Sequence, residues 1–245
     1  MFDNIDALKT KLDQHRPLSP VIVIVKNLQE DLIVRWTYHS NAIEGNTLTL
    51  LETKVVLEGI TVGGKALREH FEAINHRNAI YYVEDIIRKE ELFSEWQIRN
   101  IHQLILKNID DDNAGRYRQQ NVLISGATTP PPSYTLLNDK MAQLVDWYNT
   151  EAHKLHPIEC AAKVHTNFVG IHPFIDGNER TSRLLMNLEL LKAGYPPCVI
   201  TVENRLAYYE ALDQWMAYGK TEAFIQLVSE AVLEGFKPYQ VVLGI

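Results

Sequence analysis

The sequence predicts an all-α fold, and three observations carry the prediction. Apolar residues recur at three- and four-residue spacing in segment after segment, glycine and proline fall between those segments, and only one short stretch has strand character. Leu28, Leu32, Ile33 and Trp36 share a helical face in a segment running to Gly45, which suits the left-handed position past a helix end. Thr49-Leu-Leu-Glu52 is a capping box opening a short helix toward Gly59, and Ser94-Glu-Trp-Gln97 is another ahead of Ile98, Ile101, Leu104 and Ile105. Between them Leu67, Phe71, Ile74, Asn78, Tyr81 and Tyr82 mark one long helix. Leu137, Met141, Leu144, Val145 and Tyr148 form the next stripe. Ile158, Ala161, Ala162, His165, Phe168 and Val169 share a face of a helix entered through Pro157; Arg180–Ala193 reads as the following helix, stopped by Gly194 and Pro196-Pro197. Phe224, Leu227, Val228 and Ala231 close the set. The exception is Gln120-Asn-Val-Leu-Ile-Ser-Gly126, partly β-branched and followed by Pro130-Pro-Pro132, which predicts a small β-hairpin on the helical body. No interior linker compels separate bodies, so residues 1–60 are expected to be a helical N-terminal extension of a core spanning 61–245.

With 245 residues, 46% hydrophobic and 22% charged, the chain can bury a substantial core. A net charge of −7 argues against general adhesion to nucleic acid or anionic lipid, so any anion site must be local. Neither nucleic acid nor membrane is expected as a partner. Cys160 and Cys198 each lie in an apolar stretch, which argues against a disulfide framework or a cysteine-rich zinc site and points to a reducing, cytoplasmic setting. The longest apolar run, Val21-Ile-Val-Ile-Val25, is far short of the roughly 18 residues of a membrane span, and no secretory signal precedes it.

Chemistry concentrates in His172-Pro-Phe-Ile-Asp-Gly-Asn-Glu-Arg-Thr-Ser-Arg183. A loop feeding a helix N-terminus presents unpaired backbone N–H groups and the positive end of the helix dipole, which together make an anion site. Gly177 lets the backbone approach such an anion, and Arg180 and Arg183, three apart, project to nearly the same side. Asp176 is a hard oxygen ligand suited to Mg²⁺ bridging phosphates, Asn178 can donate to an oxygen gaining charge, and His172 can take the proton of an attacking hydroxyl. His165 and His172, seven residues apart, are spaced too widely along a helix to share one zinc or iron ion. His165, on the apolar stripe, reads as a hydrogen-bonded core histidine. The run Asp110-Asp-Asp-Asn-Ala-Gly115 fails as a calcium loop, because counted from Asp110 its fifth position is Ala114, where an oxygen ligand is needed, and its twelfth is Asn121, where a bidentate glutamate is needed.

This stretch resembles the signature of the Fic (Fic/DOC) family, His-x-Phe-x-(Asp/Glu)-Gly-Asn-Gly-Arg-x-x-Arg, at every fixed position but one. The similarity extends through Gly115-Arg-Tyr-Arg118, Asn121–Gly126, Pro130–Pro132 and Ser40-Asn-Ala-Ile-Glu-Gly-Asn46, covering roughly residues 30 to 235. It implies a Fic-type helical bundle with a small β-hairpin flap, and a regulated transfer of AMP from ATP to a Ser, Thr or Tyr hydroxyl of a protein, the chain itself included. His172 would be the base and Phe174 the anchor of the loop. Asp176 would bind Mg²⁺; Gly177, Asn178, Arg180 and Arg183 would hold the phosphates, beside Glu179. Val122, Leu123 and Ile124 would align the target by strand addition. Glu44 resembles the family's inhibitory glutamate, which pairs with the last arginine of the signature, here Arg183. A homodimer stays open, as does removal of AMP by hydrolysis. The departure is Glu179, where the family has its second glycine. A β-carbon there is tolerated poorly if the backbone needs positive φ, and its carboxylate should repel phosphates. The rival reading is therefore a catalytically impaired nucleotide-binding or interaction module.

Overall fold

The computed structural model describes residues 2–18 and 23–244, and among these no residue lies in a strand. Helix α1 spans Asp3–Asp13, α2 Val23–Ile43, α3 Leu50–Leu57, α4 Leu67–Arg88 and α5 Glu95–Leu106. They are followed by α6 (Leu137–Glu151), α7 (Pro157–Ile171), α8 (Asn178–Lys192), α9 (Arg205–Tyr218) and α10 (Glu222–Leu243). The apolar run at 21–25 lies partly outside the described residues. Among those described, no helix is long and apolar enough to cross a membrane.

Local signals explain most of the boundaries. Gly45, at φ +96°, follows α2; its amide reaches Ala42 O and the Asn46 amide reaches Asn41 O, the paired bonds of a Schellman ending. Thr49 and Glu52 close the expected box on α3. The second box does not close: Ser94 caps no backbone amide and its hydroxyl goes to the Gln97 side chain instead, while Gln97 turns its amide to Glu91. Helix α8 starts at Asn178, two residues ahead of the expected Arg180.

The α7–α8 hairpin lies between two apolar clusters. On one side Val164, Phe168, Leu184, Leu185 and Leu188 join residues of α4, α5 and α6; on the other Ala161, Val169, Met186 and Leu190 join α1, α9 and α10. Residues 180–190 of α8 are consequently all buried. The apolar stripe marked only one of its two packed faces.

The expected β-hairpin at 120–126 does not form. Val122 and Ile124 are half-buried and Leu123 is 90% exposed, an in–out alternation suited to a strand, but among the described residues no segment returns to pair with it. Pro130, Pro131 and Pro132 occupy the returning limb and have no N–H to give a ladder. Arg118 does the joining: its guanidinium donates to the carbonyls of Gln120 and Pro132, tying both ends of the segment together. Its tip is held to α9, where Asp213 accepts from the Thr128 amide and hydroxyl, each at 2.7 Å.

Candidate functional site

Helix α7 ends on His172, whose φ of +50° and ψ of +58° turn the chain out of the helix. Histidine tolerates this left-handed region better than bulkier or β-branched residues do, at a cost that its surroundings must offset. Arg118 supplies that support, donating from Nε to the His172 carbonyl and from its own amide to the Pro173 carbonyl, both at 2.9 Å. Next, Phe174 is fully buried and stacks on the His102 ring at 3.5 Å between centroids. Truncating such a ring costs about 3–5 kcal/mol. His102 Nε2 donates to the Asp176 carbonyl at 2.8 Å, and Nδ1 accepts the Gly115 amide at 2.9 Å. Those two bonds fix one neutral tautomer. Burial pulls the His102 pKa down to about 4, against the upward pull of the Asp176 carbonyl.

Gly177 begins α8 at φ +77°, and a β-carbon there would stand 3.2 Å from Ile105 Cγ2 and 3.3 Å from His102 Nε2. Asn178 is fully buried, and its side chain closes the loop: Oδ1 accepts the Phe174 amide at 3.0 Å and Nδ2 donates to the Phe174 carbonyl at 2.9 Å. Its side-chain amide is thereby committed to the loop. What the turn offers an anion is the backbone amides that open α8.

The charged residues form two linked groups. Asp176 accepts the Gly177 amide at 2.6 Å and is paired with Arg68 at 2.6 Å and Arg180 at 3.2 Å. Burial pushes its carboxyl up, but Arg180, the Gly177 amide and Arg68 outweigh burial and hold it below the usual carboxylate range. Arg180 is also 3.6 Å from Glu72. Arg183, buried and 2% exposed, donates to Ser40 Oγ and O, to the Tyr208 hydroxyl, and to Glu44 at 2.8 Å. The last turn of α2, which carries Ser40, thus meets the first turns of α8 through one guanidinium.

His172 is 8% exposed. Its Nδ1 is sealed from solvent without an aligned hydrogen bond, leaving Nε2 as the ring nitrogen that meets solvent. Burial and then Arg118 pull its pKa down to about 4, against the Val169 carbonyl and Asp176. Glu179 Oε1 stands 3.9 Å from that Nδ1. The Glu179 backbone lies within α8 and outside the positive-φ residues, so its β-carbon brings no backbone strain. Burial and then the nearby Glu44 carboxylate push its pKa up to about 7. Glu179 also lines a cavity of about 340 Å³ with Ile124, Gly126, Val169, Arg205, Tyr209 and Met216, between the flap and α9.

Of the residues singled out in the sequence, the fold brings His172, Asp176–Arg180, Arg183 and Glu44 together. Of the flap residues it sets Ile124 on the cavity, whereas Leu123 faces solvent. Sequence reading missed Arg68, Glu72 and His102 altogether, and quoted Arg118 without its role. His165 is the core residue expected, bonded to Tyr208 and Ser182. Cys160 and Cys198 are buried free thiols, and burial pushes the first to about 12.

The Fic/DOC family model matches residues 92–190. The chain is 38% identical over 232 residues to protein adenylyltransferase Fic of Nematostella vectensis, an alignment covering 94% of this chain and 53% of that protein. It is 34% identical to the Aedes aegypti protein of the same name, covering 92% and 45%. The chain thus spans about half the length of these curated relatives. Among solved structures, Fic-1 (aa134–508) from C. elegans superposes with a TM-score of 0.87 at 31% identity, covering 98% of this chain and 71% of that one. A Fic-domain-containing signaling protein from Bacteroides thetaiotaomicron superposes with a TM-score of 0.90 at 30% identity, covering 99% and 97%. Loop geometry, sequence and fold agree over nearly the whole chain, which belongs to the Fic/DOC family.

Proposed function

We propose that the chain is a protein adenylyltransferase that moves AMP from ATP to a Ser, Thr or Tyr hydroxyl of a protein, held back by the Glu44–Arg183 pair. The observation that carries this reading is the adjacency of a base whose Nε2 meets solvent, His172, to the N-terminal turn of α8 with its open amides and arginines. In the reaction Nε2 takes the hydroxyl proton as the oxygen bonds to the α-phosphorus. The bond from that phosphorus to the β-phosphate bridging oxygen breaks, and pyrophosphate leaves. The amides opening α8 and, once released from their carboxylate partners, Arg180 and Arg183 offset the phosphate charge. The neighbouring 340 Å³ cavity, with Tyr209 and Met216, suits the nucleoside.

Mg²⁺ fits Asp176, whose carboxyl is held ionised and whose side chain is 43% exposed. Among the described residues no group of three His, Cys, Asp or Glu gathers for a metal, so the other ligands would be phosphate oxygens and water, the usual habit of this ion. Bound there, the ion would neutralise charge on the phosphates. Residues 1–60 act in this reading as the restraining extension of a catalytic core at 61–245, and Val122–Ile124 offers its unpaired edge to an extended target segment.

His172→Ala tests the proposal. ATP labelled on its α-phosphate should mark protein with wild type and mark it at least a hundredfold less with the variant, because a general base contributes about 10²- to 10⁴-fold. MgATP affinity by calorimetry should change little. Undiminished labelling by the variant removes His172 from the chemistry.

A further inference from the structure

We propose that Glu179 is a positioning residue for His172: its carboxylate accepts the Nδ1–H of the imidazole and leaves Nε2 bare to take the hydroxyl proton. The inference rests on the reading of His172 as base. Two side chains in this site face each other, and among the described residues neither is hydrogen-bonded to another side chain. His172 Nδ1 is sealed from water and makes no aligned hydrogen bond, although the Val169 carbonyl lies in its direction. The Glu179 carboxylate stands 3.9 Å away, its side chain 21% exposed and bonded by its own backbone amide; among the described residues no other side chain hydrogen-bonds that carboxylate, and Ser182 bonds the Glu179 carbonyl instead. A small rotation of a flexible glutamate closes the remaining distance to an ordinary hydrogen bond.

The chemistry gives the contact a purpose. A base that hydrogen-bonds a carboxylate through one ring nitrogen is held in the tautomer whose other nitrogen is free, and its protonated form is stabilised as it takes the proton. No atom is exchanged and the proton taken by Nε2 stays on His172. The charges around the pair are Arg118 and Asp176 toward His172, and Glu44, Arg180 and Arg183 toward Glu179. Burial and Glu44 favour a protonated Glu179, so the contact forms as the pH rises through neutrality.

The test uses the whole chain with Glu44→Gly to relieve the restraint, carrying Glu179, Glu179→Gly or Glu179→Gln. Nitrogen shifts of the His172 ring, assigned by difference from His172→Ala, report the tautomer at pH 8. With Glu179 a single Nδ1–H form is expected; Glu179→Gly should mix the tautomers, and Glu179→Gln, which keeps an acceptor oxygen, should largely retain the first form. In labelling assays Glu179→Gly should lower kcat roughly tenfold without raising the KM for MgATP, and should move the acid limb of the pH profile down by about one unit. A tautomer and acid limb unmoved in Glu179→Gly would show that the Val169 carbonyl alone orients the ring and would overturn the proposal. A tautomer that responds as expected, in a chain that labels no protein, would uphold the contact and count against the transferase reading instead.

Discussion

Arg183 has every nitrogen engaged: Nε by Ser40, one terminal nitrogen by Tyr208, the other by the Ser40 carbonyl and Glu44. A phosphate arriving at this guanidinium must displace the Glu44 side chain already in place at 2.8 Å. A charge-assisted bond is worth about 1.5–3 kcal/mol, so its removal should free roughly ten- to a hundredfold in affinity. Glu44→Gly is therefore expected to bind MgATP more tightly by that factor in calorimetry and to label protein faster; an unchanged Kd would end the inhibitory reading of Glu44. The loop was legible in sequence because its chemistry is local, with histidine, carboxylate, amide and two guanidinium groups inside twelve residues. Arg68 and His102 were not, because they reach Asp176 across 108 and 74 positions and sit in helices as ordinary polar residues. The only trace His102 leaves is a polar side chain next to the apolar positions Ile101 and Ile105.

At the scale of elements, the helices that carry a stripe were readable, and two without one were not. Helix α1 buries only Ile5 and Leu12, and α9 only Tyr208, Ala211 and Leu212, too few positions to show a period. The flap failed for a different reason: its residues alternate as a strand should, but a strand is a property of two segments, and the second is proline-rich. Arg118 takes the place of the missing ladder. It binds the carbonyls of His172, Gln120 and Pro132 at 2.9, 2.8 and 2.6 Å and is 3% exposed. Arg118→Ala strands three carbonyls and is expected to cost about 3–5 kcal/mol, with a lower urea midpoint and faster proteolysis near residues 120–132. Arg118→Lys keeps the charge but not the fork, and should recover only part of the loss. If Arg118→Ala unfolds at the wild-type midpoint and its flap is cut no faster, the pin is dispensable.

The whole molecule carries its polar site between two apolar clusters, and that placement makes its stability depend on pH in two opposed ways. His76, His102, His165 and His172 are buried, and burial is the first cause holding each below the usual imidazole pKa. The unfolded chain therefore takes up their protons first as the pH drops below about 6.5, and the stability they contribute is present above that value and lost toward pH 4. For His102 and His172, each lowered to about 4, the full loss is about 3 kcal/mol apiece. Glu84, Glu179 and Glu189 run the other way, because burial raises their carboxyls. The unfolded chain releases their protons first as the pH rises past about 4.5, so they favour the fold in acid and weigh against it at neutral pH. Glu179→Gln deletes one member of the opposing set while keeping its shape. Its stability should accordingly exceed that of wild type at pH 7 and fall more steeply between pH 7 and pH 5. Urea midpoints of the two proteins at those two pH values decide the matter: parallel declines would mean that Glu179 ionises in the fold as it does in water, and that the first turn of α8 does not resist its charge.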